Sequence, residues 1–499
     1  MSCARTAVVL LTLTACSSPT YDKATPGSAS TQDSSDDSGA PDEAEPPDCA
    51  EVDVRVTDLR TTLTGVPTVA RIRWTTSTPM RSRVVVHGWQ DEARRTDLEA
   101  TARTVHEHIL TGLHQHAIYS IHVEVEDGDS TLCSATQELE TGSLSSSLPA
   151  LTVGVAHPPG KLGYTVVPIV SERGTYLTVI DNQGEYVWAR VLWEHDPSAP
   201  EIIGPAPPSY LVFRSLVAPD GSGIMVNTQA ARLTDPADVF TIDWTGEEIA
   251  RVGIIGGHTD FVVLADGTIA MLGWTIRSFG GRSLLGDTII VRTPDGDTRL
   301  LWDAFDVLDV DLSRAYSRDF LMSDGRPEDW SHVNSISYDA DQDAFYVTIT
   351  VNNGVARIDA QTGETTWVLS QDTDDFTARG ERLIHAPHSV QTIDDGLLVF
   401  NRGNPTDSGA CSRAAELRLD ETARTVEEMW RWEGDSCRQV SFLGNSQRVA
   451  DGNTMTSWSH LGLMDEVNED GVPVWQVSLG LGAAFTYAHR VDTVPGAAR

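Results

Sequence analysis

The feature that most limits what this chain can fold into is a repeat that fills residues 150–499. Each unit runs strand, Asp-Gly type turn, strand, loop, strand, turn, and a last strand that usually carries tryptophan. One unit starts at His258 and passes Asp266-Gly267 and Asp295-Gly296 to reach Trp302; the next starts at His332 and passes Asp339 and Gly363 to reach Trp367. A third runs from His388 to Trp432 and a fourth from Gln447 to Trp475, while residues 209–253 carry Asp220-Gly221 and Trp244-Thr245-Gly246 in the same places. A sixth unit is split. Residues 163–192 supply three strands, and residues 489–494 supply the missing first strand from the other end of the chain. Sharing one unit between chain ends closes a ring and leaves no first or last sheet edge exposed. The expected fold is therefore all-β, with a six-bladed β-propeller over residues 150–499.

Ahead of the repeat, residues 49–142 show short alternating strands around 53–56, 70–74, 82–86 and 119–125, the spacing of an antiparallel β-sandwich. Within it, His108-Ile109-Leu110-Thr111-Gly112-Leu113 followed by Ile118-Tyr119 resembles fibronectin type III domains, in which a leucine precedes a corner tyrosine. The resemblance implies a fibronectin type III-like β-sandwich, a spacer or docking module, joined to the repeat by a short linker at 143–148.

The N-terminus reads as an export signal. One arginine, an apolar run from Thr6 to Leu11 and then Leu13-Thr14-Ala15-Cys16 describe a signal peptide over residues 1–15 that is too short to span a bilayer. Its ending resembles the lipobox of bacterial lipoproteins, which implies lipidation at Cys16 and anchoring to the outer membrane or cell surface on its periplasmic or extracellular side. Residues 16–48 hold almost no large apolar side chain and read as a disordered tether. In an oxidising compartment the remaining cysteines are expected to pair within each segment, Cys49 with Cys133 and Cys411 with Cys437. No Cys-x-x-Cys spacing occurs, so neither a metal nor a cofactor is expected. With 36 basic against 72 acidic residues, the surface repels nucleic acid and anionic lipid.

In a ring of this kind the first strand of each unit lines the axis, so residues opening that strand converge. His258, His332 and His388 precede the turn residues Asp266, Asp339 and Asp395 at nearly equal distances, with Arg214, His489 and Arg490 at similar stations. Three histidines in register are a candidate site.

Here the residues resemble a family. Asp329-Trp330-Ser331-His332-Val333-Asn334-Ser335-Ile336, with Tyr338-Asp339 and Thr362-Gly363-Glu364-Thr365-Thr366-Trp367, is similar to the Asp-Trp-x-His-x-Asn-Ser-Ile blade of the bacterial arylsulfate sulfotransferases. Gly256-Gly257-His258-Thr259-Asp260, His385-Ala386-Pro387-His388 and Phe400-Asn401-Arg402-Gly403 match more weakly. The resemblance implies 3'-phosphoadenylyl-sulfate-independent transfer of a sulfuryl group from an aryl sulfate to a phenol. His388 would be the transiently sulfated nucleophile, with His332, His258 and Asn334 binding sulfuryl oxygens and moving the phenol proton. One departure stands out: the family carries an arginine in a Ser-x-Arg strand after this motif, and Thr350 occupies its place. Arg402 and Arg490 are the candidates to replace the lost charge, and with His489 they are candidate substrate-binding residues. The acidic insertion at 303–331 is a candidate lid. The alternative reading is a non-catalytic surface propeller that binds a ligand or partner.

Overall fold

The computed structural model describes residues 55–88, 93–128, 130–158, 161, 163–194, 212–317, 327–370, 375–379, 383–394, 396–403 and 411–499. The signal peptide, Cys16 and the tether over 16–48 lie outside the described residues, as does Cys49; Cys133 is disulfide-bonded. None of the described helices is long and apolar enough to cross a membrane.

The fold is all-β. Two sheets form first. Strands Val56–Leu63, Ala70–Met80 and Arg103–Leu110 make one; Arg94–Arg95, Ser82–His87, Ile118–Asp127, Ser130–Cys133 and Gln137–Glu140 make the other. Alternation drives their pairing: Ala70, Ile72 and Trp74 are buried while Arg71 and Arg73 point outward, each 2.6 Å from Glu107 on the neighbouring strand. Tyr119 is fully buried, and its hydroxyl accepts the His114 amide at 2.9 Å.

Among the described residues six further, mainly antiparallel sheets follow, each with at least four strands. Their turns repeat one geometry. Asp181 Oδ1 accepts the amides of Gln183 and Glu185, and Asp243 Oδ1 those of Thr245 and Glu247, each at 2.9 Å. The intervening Gly184 and Gly246 have φ of 79° and 91°, which a side chain would oppose. The tryptophans of the last strands tie sheet to sheet. Trp188 Nε1 donates to the Trp244 carbonyl at 2.9 Å, Trp302 Nε1 to Thr365 Oγ1 at 2.9 Å, and Trp430 Nε1 to the Glu469 carbonyl at 3.0 Å.

The inner strands are linked in a cycle. Arg214 donates to Asp260 at 3.3 Å, Asp260 accepts the Ile336 amide at 2.9 Å, and Thr350 Oγ1 donates to the Pro387 carbonyl at 3.0 Å. Ser389 Oγ accepts the Ser446 amide at 3.1 Å, Gln447 Oε1 accepts the Arg490 amide at 2.8 Å, and the Tyr487 amide donates to the Phe213 carbonyl at 3.0 Å. The last bond returns to the sheet that began the cycle.

The split unit assembles as expected, and its closing piece is longer than expected. Strand Tyr164–Ser171 pairs antiparallel with both His489–Val491 and Ala483–Phe485. Beyond it the chain crosses to the N-terminal sheets: Arg95 and Arg499 exchange two backbone bonds at 2.7 and 2.8 Å, and Ala498 is buried in the sandwich core. Strand Leu151–Val155, which the sequence pattern does not reveal, adds to the outer edge of Pro473–Leu479.

Deleting residues 485–499 removes His489–Val491 and Phe485 from the edge of Tyr164–Ser171, and with them the bonds to Arg95. The truncated protein should melt at a markedly lower temperature and aggregate, as followed by calorimetry and light scattering; unchanged melting would reject the closing role.

Candidate active site

His258, His332 and His388 stand at the start of inner strands Gly257–Val263, Val333–Asp339 and Pro387–Ile393. All three are buried. At each place the backbone leaves the strand: φ is 48° at Thr259, 51° at His332 and 46° at Ala386. Left-handed geometry at a non-glycine residue costs about 1–3 kcal/mol. Strand register shifts at the same three points, between Gly257 and Phe261, Val333 and Ser335, and Pro387 and Ser389. These irregularities re-aim a side chain that an even pleat would place otherwise.

His388 Nδ1 lies 3.1 Å from the Gly444 carbonyl and 3.0 Å from the Tyr487 hydroxyl. A carbonyl can only accept, so the ring proton resides on Nδ1 and the lone pair on Nε2. Tyr487 donates to the Asn334 carbonyl at 2.6 Å, which couples the strand of His332 to that of His388. Burial, followed by the nearby charges of Arg402 and His332, holds His388 well below the usual imidazole range. The ring is therefore neutral at pH 7, as a nucleophile must be.

His332 Nδ1 is 2.7 Å from Asp329 Oδ2 and 3.0 Å from the Tyr316 hydroxyl. His258 stacks on Trp274 at 4.6 Å, with Nδ1 2.9 Å from Thr259 Oγ1. Its Nε2 lies 3.0 Å from Asp287 Oδ1 without the alignment of a hydrogen bond.

Asn334 is brought to the same place, yet its amide is engaged. Nδ2 donates to Thr350 Oγ1 at 2.6 Å and Oδ1 accepts from Thr348 Oγ1 at 2.7 Å. Thr350 thus spends its hydroxyl linking Asn334 to the Pro387 carbonyl beside His388, and contributes no charge. Two cations stand here: Arg402, whose Nε and Nη1 donate to the Ala386 and Ser441 carbonyls at 3.3 Å and whose charge reaches both His388 and Tyr487, and Arg214, whose guanidinium lies 5.7 Å over the Tyr487 ring.

Arg490 does not join them. Its guanidinium bonds Thr165 at 3.0 Å, Asn182, and Glu466 at 3.1 Å, and lies 5.0 Å over Trp475. His489, its neighbour on the strand, faces elsewhere: desolvation and then Arg214 pull its pKa down to about 4. Sequence reasoning missed Tyr487, Gly444 and Asp329 as parts of the site. Only Asp329 had a signal, as the first residue of the quoted motif.

A cleft of 660 Å³, lined by Tyr346, Trp367, Arg379 and Arg418, opens elsewhere and contains none of these histidines. Among the described residues no group of three or more His, Cys, Asp or Glu side chains is placed to hold a metal.

The arylsulfotransferase (ASST) family model matches residues 161–473, which takes in every residue of this cluster except Tyr487. The chain belongs to the arylsulfotransferase family. No curated protein matches it. Among solved structures it is similar to a Bacteroides caccae protein of unknown function, at 14% identity and TM-score 0.39 over 66% of this chain and 99% of the other. It is also similar to a putative 6-phosphogluconolactonase from Bacteroides uniformis, at 12% identity and TM-score 0.38 over 66% and 99%. A third likeness is the Cps50 (Swd1) β-propeller domain of Myceliophteria thermophila, at 11% identity and TM-score 0.36 over 67% and 98%.

In this arylsulfotransferase the expected Cys411–Cys437 disulfide joins the start of strand Arg413–Asp420 to the segment that follows Thr425–Trp432. Ser412 Oγ donates to the Arg402 carbonyl at 2.5 Å and accepts the Val440 amide at 2.7 Å. Replacing both cysteines by alanine should lower stability by about 3–4 kcal/mol in the chain-entropy model. Denaturant unfolding of the double variant measures it; a loss below about 1 kcal/mol would show that these two segments are held together without the bridge.

Proposed function

We propose that the protein transfers a sulfuryl group from an aryl sulfate to a phenol, without a nucleotide sulfate donor, through a sulfohistidine at His388. The observation that carries the reading is His388 itself: buried, neutral, its proton committed to Nδ1 by the Gly444 carbonyl, and flanked by His332 and Arg402. Nε2 supplies the electron pair that attacks sulfur. The sulfo-imidazole then passes the group to the acceptor oxygen. Arg402 offsets the charge that gathers on the sulfuryl oxygens and takes over from the arginine that Thr350 replaces; one such donor is worth about 3–4 kcal/mol. His332 moves the phenol proton, and His258 stands by as a further donor.

The same reading takes the six sheets as the blades of a six-bladed β-propeller, supported by the cyclic bonding of their inner strands. It takes residues 49–142 as a fibronectin type III-like module, supported by the buried Tyr119 whose hydroxyl accepts the His114 amide. Leu13-Thr14-Ala15-Cys16 supports export and a lipid anchor at Cys16 on the outer membrane or cell surface. Cys16→Ser should move the protein from the membrane to the soluble fraction; persistence with membranes would refute the anchor.

A non-catalytic ligand-binding propeller is the second reading. Thr350 favours it, because Thr350 and Thr348 occupy the Asn334 amide where an arginine would leave it open to a ligand.

Mixing the protein with a chromogenic aryl sulfate and no acceptor separates the two. The enzyme should release one burst of phenol per chain. His388→Ala should abolish the burst, and His332→Ala, His258→Ala and Arg402→Ala should slow it by about 10²–10³-fold. If the wild type releases no phenol and Thr350→Arg restores none, the non-catalytic reading stands.

A further inference from the structure

One nitrogen of His332 is met by two groups from different parts of the chain. Asp329 Oδ2 is 2.7 Å from Nδ1 and the Tyr316 hydroxyl is 3.0 Å from the same atom. Asp329 is 3% exposed and His332 8%, whereas Tyr316 is 41% exposed. Tyr316 and Asp329 sit on two-residue strands, Tyr316–Ser317 and Glu328–Asp329, which pair so that Tyr316 faces Asp329. The second strand also adds to Arg282–Arg292, with Leu285 opposite Asp329. Arg277 grips Asp303 and Asp306 at 2.6 Å each, and Arg282 grips Glu328 at 3.0 Å. The described parts of the 303–331 insertion are thus fastened to the adjoining sheet at both ends, and they deliver Tyr316 to the histidine.

A buried carboxylate this close to an imidazole has a defined effect. It accepts Nδ1–H, fixes the tautomer with the lone pair on Nε2, and stabilises the imidazolium when a proton arrives there. The Tyr316 oxygen shares the same Nδ1–H. We infer that Asp329 and Tyr316 are positioning residues that make His332 the proton relay for the phenol, so that the described ends of the acidic insertion belong to the active site. This rests on the sulfuryl-transfer reading above.

The two half-reactions balance without a further reagent. In the first, the His388 Nε2 lone pair forms an N–S bond as the ester S–O bond breaks; the departing phenolate oxygen takes a proton from His332 Nε2 and leaves as phenol. In the second, an acceptor phenol gives its proton to His332 Nε2, its oxygen forms the new S–O bond, and the S–N electron pair returns to His388. Asp329 makes the protonated His332 that the first step needs easier to reach, and Tyr316 keeps the ring from turning.

Leaving-group dependence tests this on the full chain. A 4-nitrophenolate departs readily without a proton, whereas a 4-methylphenolate needs one in the transition state. Bursts from 4-nitrophenyl sulfate and 4-methylphenyl sulfate are compared in wild type, Asp329→Asn, Asp329→Glu and Tyr316→Phe, with melting curves for each. Asp329→Asn should slow the methylphenyl ester by about 100-fold or more and the nitrophenyl ester by less than about 10-fold. Asp329→Glu should recover part of the methylphenyl rate and so show a reduced bias, and Tyr316→Phe should show the same bias at smaller size. Equal losses on both esters in Asp329→Asn, or no bias in Tyr316→Phe, overturn the inference while leaving sulfuryl transfer intact. Where Asp329→Asn fails to fold, Tyr316→Phe decides alone. A wild type that cleaves neither ester overturns the sulfuryl-transfer reading and the inference with it.

Discussion

The pairing of the C-terminal segment with strand Tyr164–Ser171 is the contact on which the rest of the structure depends. A ring of sheets has no edges only while its two ends share one sheet; broken there, it exposes two rows of unpaired backbone groups. The same segment carries Tyr487, between its two paired stretches, and Tyr487 joins the Asn334 carbonyl to His388. Closure and chemistry therefore share one short stretch of chain. A ring left open loses the group that sets the surroundings of His388 as well as its own cohesion.

The electrostatics of the cluster follow from burial. An imidazole shut away from water and set beside a guanidinium stays neutral, because charging it would require desolvating a cation next to another cation. That arrangement suits a nucleophile and penalises a proton relay, which must accept charge in every cycle. The two histidines resolve the conflict through their partners. His388 faces the neutral Gly444 carbonyl and the Tyr487 hydroxyl, whereas His332 faces the Asp329 carboxylate. Like rings are suited to different tasks because one backs onto a dipole and the other onto a charge.

The repeat was legible because most units state themselves locally: aspartate-anchored turns, several with a left-handed glycine, and usually a tryptophan on or near the last strand. The convergence of the three histidines followed from that periodicity. What was not legible lay in details that periodicity leaves open. His489 and Arg490 were assigned to one site, but neighbouring strand residues face opposite ways, so the register of the closing strand sends Arg490 to Glu466. Asn334 looked like a ligand-binding amide, and its occupation by Thr348 and Thr350 depends on a register shift that no composition reveals. Tyr487 falls outside the matched family segment, and only the closure geometry makes it part of the cluster.

The N-terminal sheets looked like a spacer, and the structure gives residues 55–142 a more active mechanical part. Thr111 takes the Pro495 carbonyl at 2.8 Å, His108 meets the Gly496 carbonyl at 3.2 Å, and His114 meets Asp181 at 2.6 Å across a buried contact. Thr68 donates to the Val187 carbonyl at 2.7 Å, while Val66 and Val69 lie in the core of the first sheet of the ring. The chain end beyond the closing strand is thus held from two sides, by its own sheet and by the sandwich. A three-residue strand such as His489–Val491 has few ladder bonds to keep it in register. Anchoring the residues that follow it lowers the entropy it must lose to dock, so a module outside the matched family segment helps to keep Tyr487 against His388.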